Sequence, residues 1–388
     1  MAKTIFAAIF SLLLASASAQ ETTLPEMPSK PSHVEEFRQS IQKLAPGPSD
    51  FCNWNGIGVE VPEAKDVESR IFDHAAAFIE EELNTLAGAK QSPHERASGA
   101  LLKLEKLSAE LLAAWPEDRR FHGEIIDLPP ALIATMRIRD RGTFTFFALT
   151  EEIVSAHAEV WTEVGQESDP LNDWPPNLVD IRPLHRGPSG YVRFLAAYQY
   201  SGCAGSFGVA YDAYQWNPDS IASLNQVIKQ SGSFGLDQVP AKPTAKNPFP
   251  SIGKLQTEGP LITLPYCWFS AIDTWDNPSM CAVDTYDVSG DTVKFRSRAF
   301  NRPDLVPIVK AIEHAVAHDY PATLAYCASA DIARRLVRDV VPYNFADDLR
   351  VTRTGEGREH VEFGFDVDYR FDVQKIGGRW VIVAFRDE

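Results

Sequence analysis

The side chains best suited to chemistry in this 388-residue chain are carboxylates and indoles grouped between residues 268 and 291. Asp273, Asp276, Asp284, Asp287 and Asp291 share this stretch with Trp268 and Trp275. Glycoside hydrolysis needs two carboxyl groups flanking the scissile bond. Exposed indoles beside them would offer an apolar face with a polar edge to a sugar ring. Asp273, Asp276 and Asp284 are therefore candidate catalytic acids, and Trp268 and Trp275 candidate ligand contacts. The same composition also suits hairpin turns, where Asp is common, and cores, where Trp is common. A second candidate is Cys203, set among small residues in Ser201-Gly202-Cys203-Ala204-Gly205-Ser206. A turn of that kind could present a thiol nucleophile to a nearby base. The string is not a G-x-S-x-G elbow, and a glycine-rich turn around a packed or bridged Cys has the same residues.

Two further sets could hold a metal or move a proton. His314 and His318 are four residues apart on an amphipathic stretch, a spacing that can ligate zinc on one helix face. Glu313 precedes the first His, so the H-E-x-x-H order is missing, and a solvated helix face accounts for the pair equally. Glu362, Asp366, Asp368 and Asp372, with His360 and Arg370, fall on the polar side of an alternating run. That side could hold a cation or serve as acid and base, or could be the solvent face of a half-buried sheet. No cofactor motif is present, so no cofactor is expected.

The first residues set the compartment. Lys3, the apolar run from Ile5 to Leu14 and the small-x-small triplet Ala17-Ser18-Ala19 have the pattern of a secretory signal peptide cut before Gln20. The expected product is exported to the periplasm or beyond. The apolar run falls short of the ~20 residues a membrane span requires, and no later stretch meets that length. A formal charge of −16 opposes nonspecific binding to nucleic acid, which needs clustered cations. In an oxidising compartment the five cysteines, Cys52, Cys203, Cys267, Cys281 and Cys327, allow at most two bridges. Cys267 and Cys281 flank a strand–turn–strand segment and should face each other across it. Cys52 with Cys203 follows only by elimination. Cys327, in a helical pattern, is the expected free thiol, buried and inert.

The elements that must position these groups divide the chain into four parts. Residues 1–19 are the signal peptide and 20–130 a helical region. Residues 131–300 are β-rich, and 301–388 mix helices with strands. The expected class is α+β: an N-terminal helical region, an antiparallel β-rich middle, and C-terminal helices packed on a curved antiparallel sheet. Helices are expected from a capping box at Ser32, over about 66–87, and from the Ser92-Pro93-His94-Glu95 start to Pro116. From about 131 the apolar period changes from 3.6 to 2, with Asp140-Arg141-Gly142 as the first turn. Strands are expected at 191–200, 206–216, 261–273, 280–288 and 292–300, with Ser289-Gly290-Asp291 turning between the last two. A helix is expected near 150–162, and another starting at Asn217-Pro218 and carrying Ile221, Leu224, Val227 and Ile228. The stretch 236–253 is expected to be a long loop. In the closing part, a helix carries Leu305, Ile308, Val309, Ile312 and Val316, and a second covers about 322–340. One long strand is expected over 361–373, with Val361, Phe363, Phe365, Val367, Tyr369, Phe371 and Val373 on one face. Gly377-Gly378 turns it back.

That closing part, 303–388, resembles the NTF2-like α+β family. The likeness rests on its leading helices and on the final hairpin ending Gly378-Arg379-Trp380-Val381-Ile382. It has fewer helices and strands than the family's cone, and no catalytic residue carries over. The resemblance implies a helix-on-sheet fold found in small-molecule isomerases and binding modules, which leaves the activity open. Three function classes follow: an exported protein binding a small molecule, glycan or protein; an extracytoplasmic hydrolase using the Asp-rich turns or Cys203; and a structural, envelope-associated protein. The first is preferred because no motif supports the second.

Overall fold

A computed structural model describes residues 32–44, 62–85, 91–138, 141–149, 177–201, 206–219, 224–235, 257, 259–268, 270, 272, 280–340, 349–364 and 368–387. Expectations for the signal peptide, Cys52, the helix near 150–162, the 236–253 loop, Cys203, Asp273, Trp275, Asp276 and Asp366 lie outside these residues. The described residues form a mixed α+β fold in which every sheet is antiparallel.

Three helices come first: α1 (His33–Gln42), α2 (Pro62–Thr85) and α3 (Pro93–Leu111). The capping signals act as the sequence implies. Ser32 accepts from the Glu35 N–H, and Ser92 and Glu95 form a reciprocal capping box with Pro93 at the first helical position. The sheet begins earlier than the period change at 131 suggests, with β1 (His122–Leu128) followed by β2 (Ala131–Ile138) and β3 (Arg141–Ala148). Arg141 is not a turn residue. It pairs with Ile138 in the β2–β3 ladder, and its side chain is buried against Glu68 of α2 (Nε to Oε2, 2.7 Å). An arginine with a turn-like flank was mistaken for part of the turn because its buried partner lies 73 positions away in sequence.

The β1–β3 sheet is buried on two sides. One face, with Leu132, Ala134, Met136 and Phe147, packs on the helices. The other, with Ile133, Phe144 and Phe146, packs on a second sheet of β4 (Asn177–Pro183), β5 (Val192–Ser201), β6 (Ser206–Trp216) and β7 (Asn225–Gly235). That second sheet is covered in turn. Leu195, Ala197, Val209 and Tyr211, on its far face, meet Ile262, Leu264 and Ala282 of a third sheet. The third sheet is β8 (Leu261–Trp268), β9 (Met280–Asp287) and β10 (Lys294–Phe300). Two-sided burial explains why β5 is an almost unbroken apolar run. Val227 and Ile228, expected on a helix, lie on β7.

The closing part holds α4 (Val306–Val316), α5 (Tyr320–Leu324), α6 (Ala330–Asp339) and the strands β11 (Arg350–Gly355), β12 (Arg358–Gly364), β13 (Asp368–Ile376) and β14 (Arg379–Asp387). Leu305, Ile308 and Ile312 share a core with Val361, Phe371 and Ile382. The expected second helix is two helices. Between them Cys327 forms a parallel bridge with Ile382 of β14. The long strand expected over 361–373 is a hairpin: β12 pairs with β13 in a register that puts Phe363 opposite Tyr369 and Val361 opposite Phe371. Odd-numbered residues pair with odd-numbered ones, so β12 and β13 keep the same parity of inward and outward residues, while Phe365 and Val367 lie outside the described residues. Gly377 and Gly378 both have positive φ, 59° and 85°, the geometry a two-residue hairpin turn requires and an L side chain resists.

Candidate functional site

A site with room for a ligand and several converging polar groups lies between the first two sheets. A cleft of about 630 Å³ opens where β4 stands across the outer halves of β1 and β2. In the β1–β2 ladder His122 pairs with Arg137, Glu124 with Thr135, and Ile126 with Ile133. These pairs share one face, because side chains on a strand alternate. Ile126 and Ile133 belong to the core between the sheets. Beyond them the same face turns polar, and β4 adds Asp180 and Arg182 from the other wall.

The polar groups are held in different ways. Arg182 donates to Asp180 (Nε to Oδ2, 2.6 Å). His122 Nε2 lies 2.6 Å from the Glu117 carbonyl oxygen, which can only accept. Nε2 is therefore the donor in this contact, and Nδ1 faces the Glu105 carboxylate at 4.0 Å. Gly123 brings α3 close: its N–H donates to Glu105 (3.0 Å), and a Cβ there would stand 2.5 Å from the Thr135 carbonyl oxygen and 2.9 Å from Leu101. Arg137 is exposed at the mouth and makes no ion pair with another described residue. The arrangement can receive an anionic or hydrogen-bonding ligand on two guanidinium groups, with Glu124 and Asp180 to accept from its donors. Sequence reasoning missed this cleft. Its residues are spaced at strand period on two segments over 40 positions apart, and β4 carries no strong strand pattern.

The sequence candidates fall elsewhere. Asp284 is fully buried in the middle of β9, not at a turn tip. Arg298 of β10 clasps it with Nε and Nη2 (2.7 and 2.8 Å), and the Tyr266 hydroxyl approaches at 3.4 Å. Both carboxylate oxygens are occupied by a structural ion pair, so Asp284 is not free to act as a catalytic acid. Trp268 ends β8. Cys267 and Cys281 are opposite one another in the β8–β9 register and form a disulfide. Cys327 is a half-buried free thiol. It donates to the Thr323 carbonyl (3.4 Å), and burial pushes its pKa up to about 11, which keeps the nucleophilic thiolate scarce at neutral pH.

His314 and His318 do not share a helix face. α4 ends at Val316, and His318 follows in the left-handed region with φ 54°. His314 stacks on Tyr326, with ring centroids 5.9 Å apart. On the polar side of β12 and β13, Glu362 and Asp372 gather around His360: its Nδ1 is 2.7 Å from Asp372 and its Nε2 3.0 Å from Glu362. Asp368 is exposed and stands outside this group. Hydrogen bonds to both carboxylates raise the His360 pKa. Both ring nitrogens face carboxylate oxygens, which favours the imidazolium form, and Arg370 joins the network by reaching Glu362 at 3.2 Å. Among the described residues, the His, Cys and acidic groups that converge at metal-ligand distance are instead His33, Glu36 and His74.

No protein-family model matches the chain, and no curated protein is significantly similar to it.

Proposed function

We propose that the protein is a binding protein of an extracytoplasmic compartment, and that the cleft between β1–β2 and β4 takes a small ligand bearing a carboxylate or similar anion. The observation that carries the reading is the convergence of Arg137 and Arg182 on a cleft of about 630 Å³. Small-molecule sites fall in the range of roughly 300–1,000 Å³ and combine apolar walls with a few placed polar groups. Here Ile126, Leu178 and Ile181 supply the apolar wall. A guanidinium holds a carboxylate through two parallel N–H bonds, which gives direction as well as attraction.

The compartment is supported by three things. The signal-peptide pattern stands at residues 1–19, the Cys267–Cys281 disulfide suits an oxidising space, and no helix among the described residues is long and apolar enough to cross a membrane. The resemblance of residues 303–388 to the NTF2-like family, which includes binding modules, supports a binding role too. On this reading the helical start, the β-rich middle and the closing helices on their sheet serve one scaffold, with the ligand held between the first two sheets. A hydrolase reading loses Asp284 to its ion pair with Arg298.

Thermal-shift and calorimetric titrations with citrate, a dipeptide and maltose test the proposal. The carboxylate ligands should bind and raise the melting temperature of the wild-type protein, and the neutral disaccharide should not. Arg137→Ala should weaken carboxylate binding by about tenfold or more, the loss of one charge-assisted hydrogen-bonded contact. Binding that is unchanged in Arg137→Ala and Arg182→Ala, or confined to the disaccharide, would overturn it.

A further inference from the structure

We infer that His33, Glu36 and His74 form a binding site for a zinc-class divalent cation that bridges α1 and α2. The inference concerns a surface remote in sequence from the β1–β2 cleft and stands independently of it.

The three side chains come from two helices fixed by packing. His33 is the first residue of α1, directly after the Ser32 cap, and Glu36 is three positions on, on the same side of the helix. α2 lies against α1 through a core that includes Phe37, Ile41, Ile71 and Ala75. His74 sits beside Ala75, at the margin of that apolar stripe, and so faces the first turn of α1. All three ligand atoms lie within 4.8 Å of one another.

Two of the three ligand–ligand distances are those of a tetrahedral ion. With metal–ligand bonds of about 2.0–2.1 Å, ligand atoms around zinc stand about 3.3 Å apart. His33 Nδ1 is 3.1 Å and His74 Nδ1 is 3.4 Å from the same oxygen, Glu36 Oε2. Both imidazoles thus turn the same nitrogen toward one carboxylate, and the rings stack with centroids 6.5 Å apart. Two imidazole nitrogens and a carboxylate oxygen are a donor set that suits zinc and neighbouring transition ions better than calcium or magnesium.

Exposure and charge fit as well. The three side chains are between one-fifth and one-third exposed, so an ion can enter and a water can complete the shell. An imidazole ligates only when neutral. The Glu36 carboxylate offsets part of the cation's charge. A site with three protein ligands and an open position can carry a water or an incoming ligand, whereas closed structural sites use four. Bridging two helices, the ion would also fasten α1 to the rest of the molecule.

Calorimetric titration of the metal-free protein with Zn²⁺ tests the site, and Co²⁺ serves as the spectroscopic probe. One equivalent should bind in the wild type, and Co²⁺ should give the visible absorption of a four- or five-coordinate nitrogen–oxygen site. Zn²⁺ should raise the melting temperature, and EDTA should reverse the rise. His33→Asn, Glu36→Gln and His74→Asn should each weaken binding beyond the roughly 10–100-fold that loss of an outer-shell partner costs. His314→Asn should bind like the wild type. Circular dichroism checks that each variant is folded, and the wild-type titration needs no variant. Absence of stoichiometric binding by the wild type would overturn the inference. So would binding that survives in all three ligand variants, which would place the ion elsewhere.

Discussion

The acidic side chains of this protein differ sharply in what they can do, and their neighbours decide it. Asp284 is held by Arg298 on both oxygens and is spent on structure. Asp304, just ahead of α4, accepts from Arg302 and is held below the usual carboxylate range by it, and the Glu359 carboxyl of β12 lies beside the same Arg302 at 3.9 Å. Burial and the Asp304 charge together raise the Glu359 pKa from its ordinary 4.5 to about 7. The folded state therefore keeps a proton that the unfolded state loses between these two values. By linkage, stability falls as pH rises through that window, and the stabilisation present below pH 4.5 is lost above 7. His360 adds a slope of the same sign at higher pH, because its folded pKa is raised. Glu359→Gln isolates the first contribution: it keeps the shape and removes the charge. At pH 8 the variant should be more stable than the wild type by about 1 kcal/mol, a figure reduced from ~1.4 kcal/mol per pKa unit because solvent still reaches the group. Near pH 5 the two should converge. Urea unfolding at a series of pH values measures this, and parallel curves would contradict it. None of this was legible in the sequence, where Asp304 and Glu359 stand 55 positions apart and carry no motif.

Helix starts and the disulfide hairpin were readable because their signals are local. Ser32 and Ser92 each meet a donor three residues on, and Cys267 and Cys281, which flank the turn-prone sequence Asn277-Pro278, sit opposite one another in the β8–β9 ladder. Strand boundaries were less readable wherever pairing, not propensity, sets them. The β12–β13 turn was invisible because its register keeps the inward and outward parity across the turn. β1 was invisible because its alternation is interrupted by Gly123, whose place depends on α3. That glycine and its neighbour on the helix give a paired prediction. Gly123→Ala would drive a Cβ into the Thr135 carbonyl oxygen and the end of Leu101. It should cost about 1–3 kcal/mol, the usual range for overpacking. Gly99 lies in α3 with no heavy atom within 4 Å of an added Cβ. Gly99→Ala should stabilise the protein by about 0.8 kcal/mol, the helix-propensity difference. Thermal and urea denaturation of both variants should show shifts of opposite sign. A neutral Gly123→Ala would mean that α3 and β1 do not approach as closely as the structure shows.

At the scale of the whole molecule, the layers are joined mostly by apolar contact, and one buried cation fixes how the second sheet meets the third. Arg193 of β5 is 1% exposed, in a strand otherwise made almost entirely of apolar residues. Its odd-numbered position puts it on the face that packs against β8 and β9. There Nη1 donates to the carbonyls of Val288 (2.9 Å) and Gly290 (2.7 Å), Nη2 to that of Asp291 (2.6 Å), and Nε to the Gln215 side chain (2.7 Å). The three carbonyls belong to the turn between β9 and β10, so one guanidinium grips the end of the neighbouring sheet. Gly187 closes the same junction, since a Cβ there would stand 2.6 Å from the Gly290 carbonyl oxygen. Asp291 turns its carboxylate to the Ser189 N–H at 2.8 Å. The Asp-rich turn that looked like a sugar site in the sequence is, at Asp291, part of this clasp. A lysine could not replace the arginine. Its ammonium is a single centre with three donors and cannot span Gln215 and three carbonyls arranged for a planar fork. Arg193→Lys should therefore destabilise the protein by about 2–4 kcal/mol, as expected when buried acceptors lose their charged donor. Arg182→Lys, at an exposed pair on β4, should change stability by less than about 0.5 kcal/mol. Urea unfolding of both variants decides the matter. Equal effects would mean that the sheets are held together by their apolar faces alone and that the guanidinium clasp adds nothing to the junction.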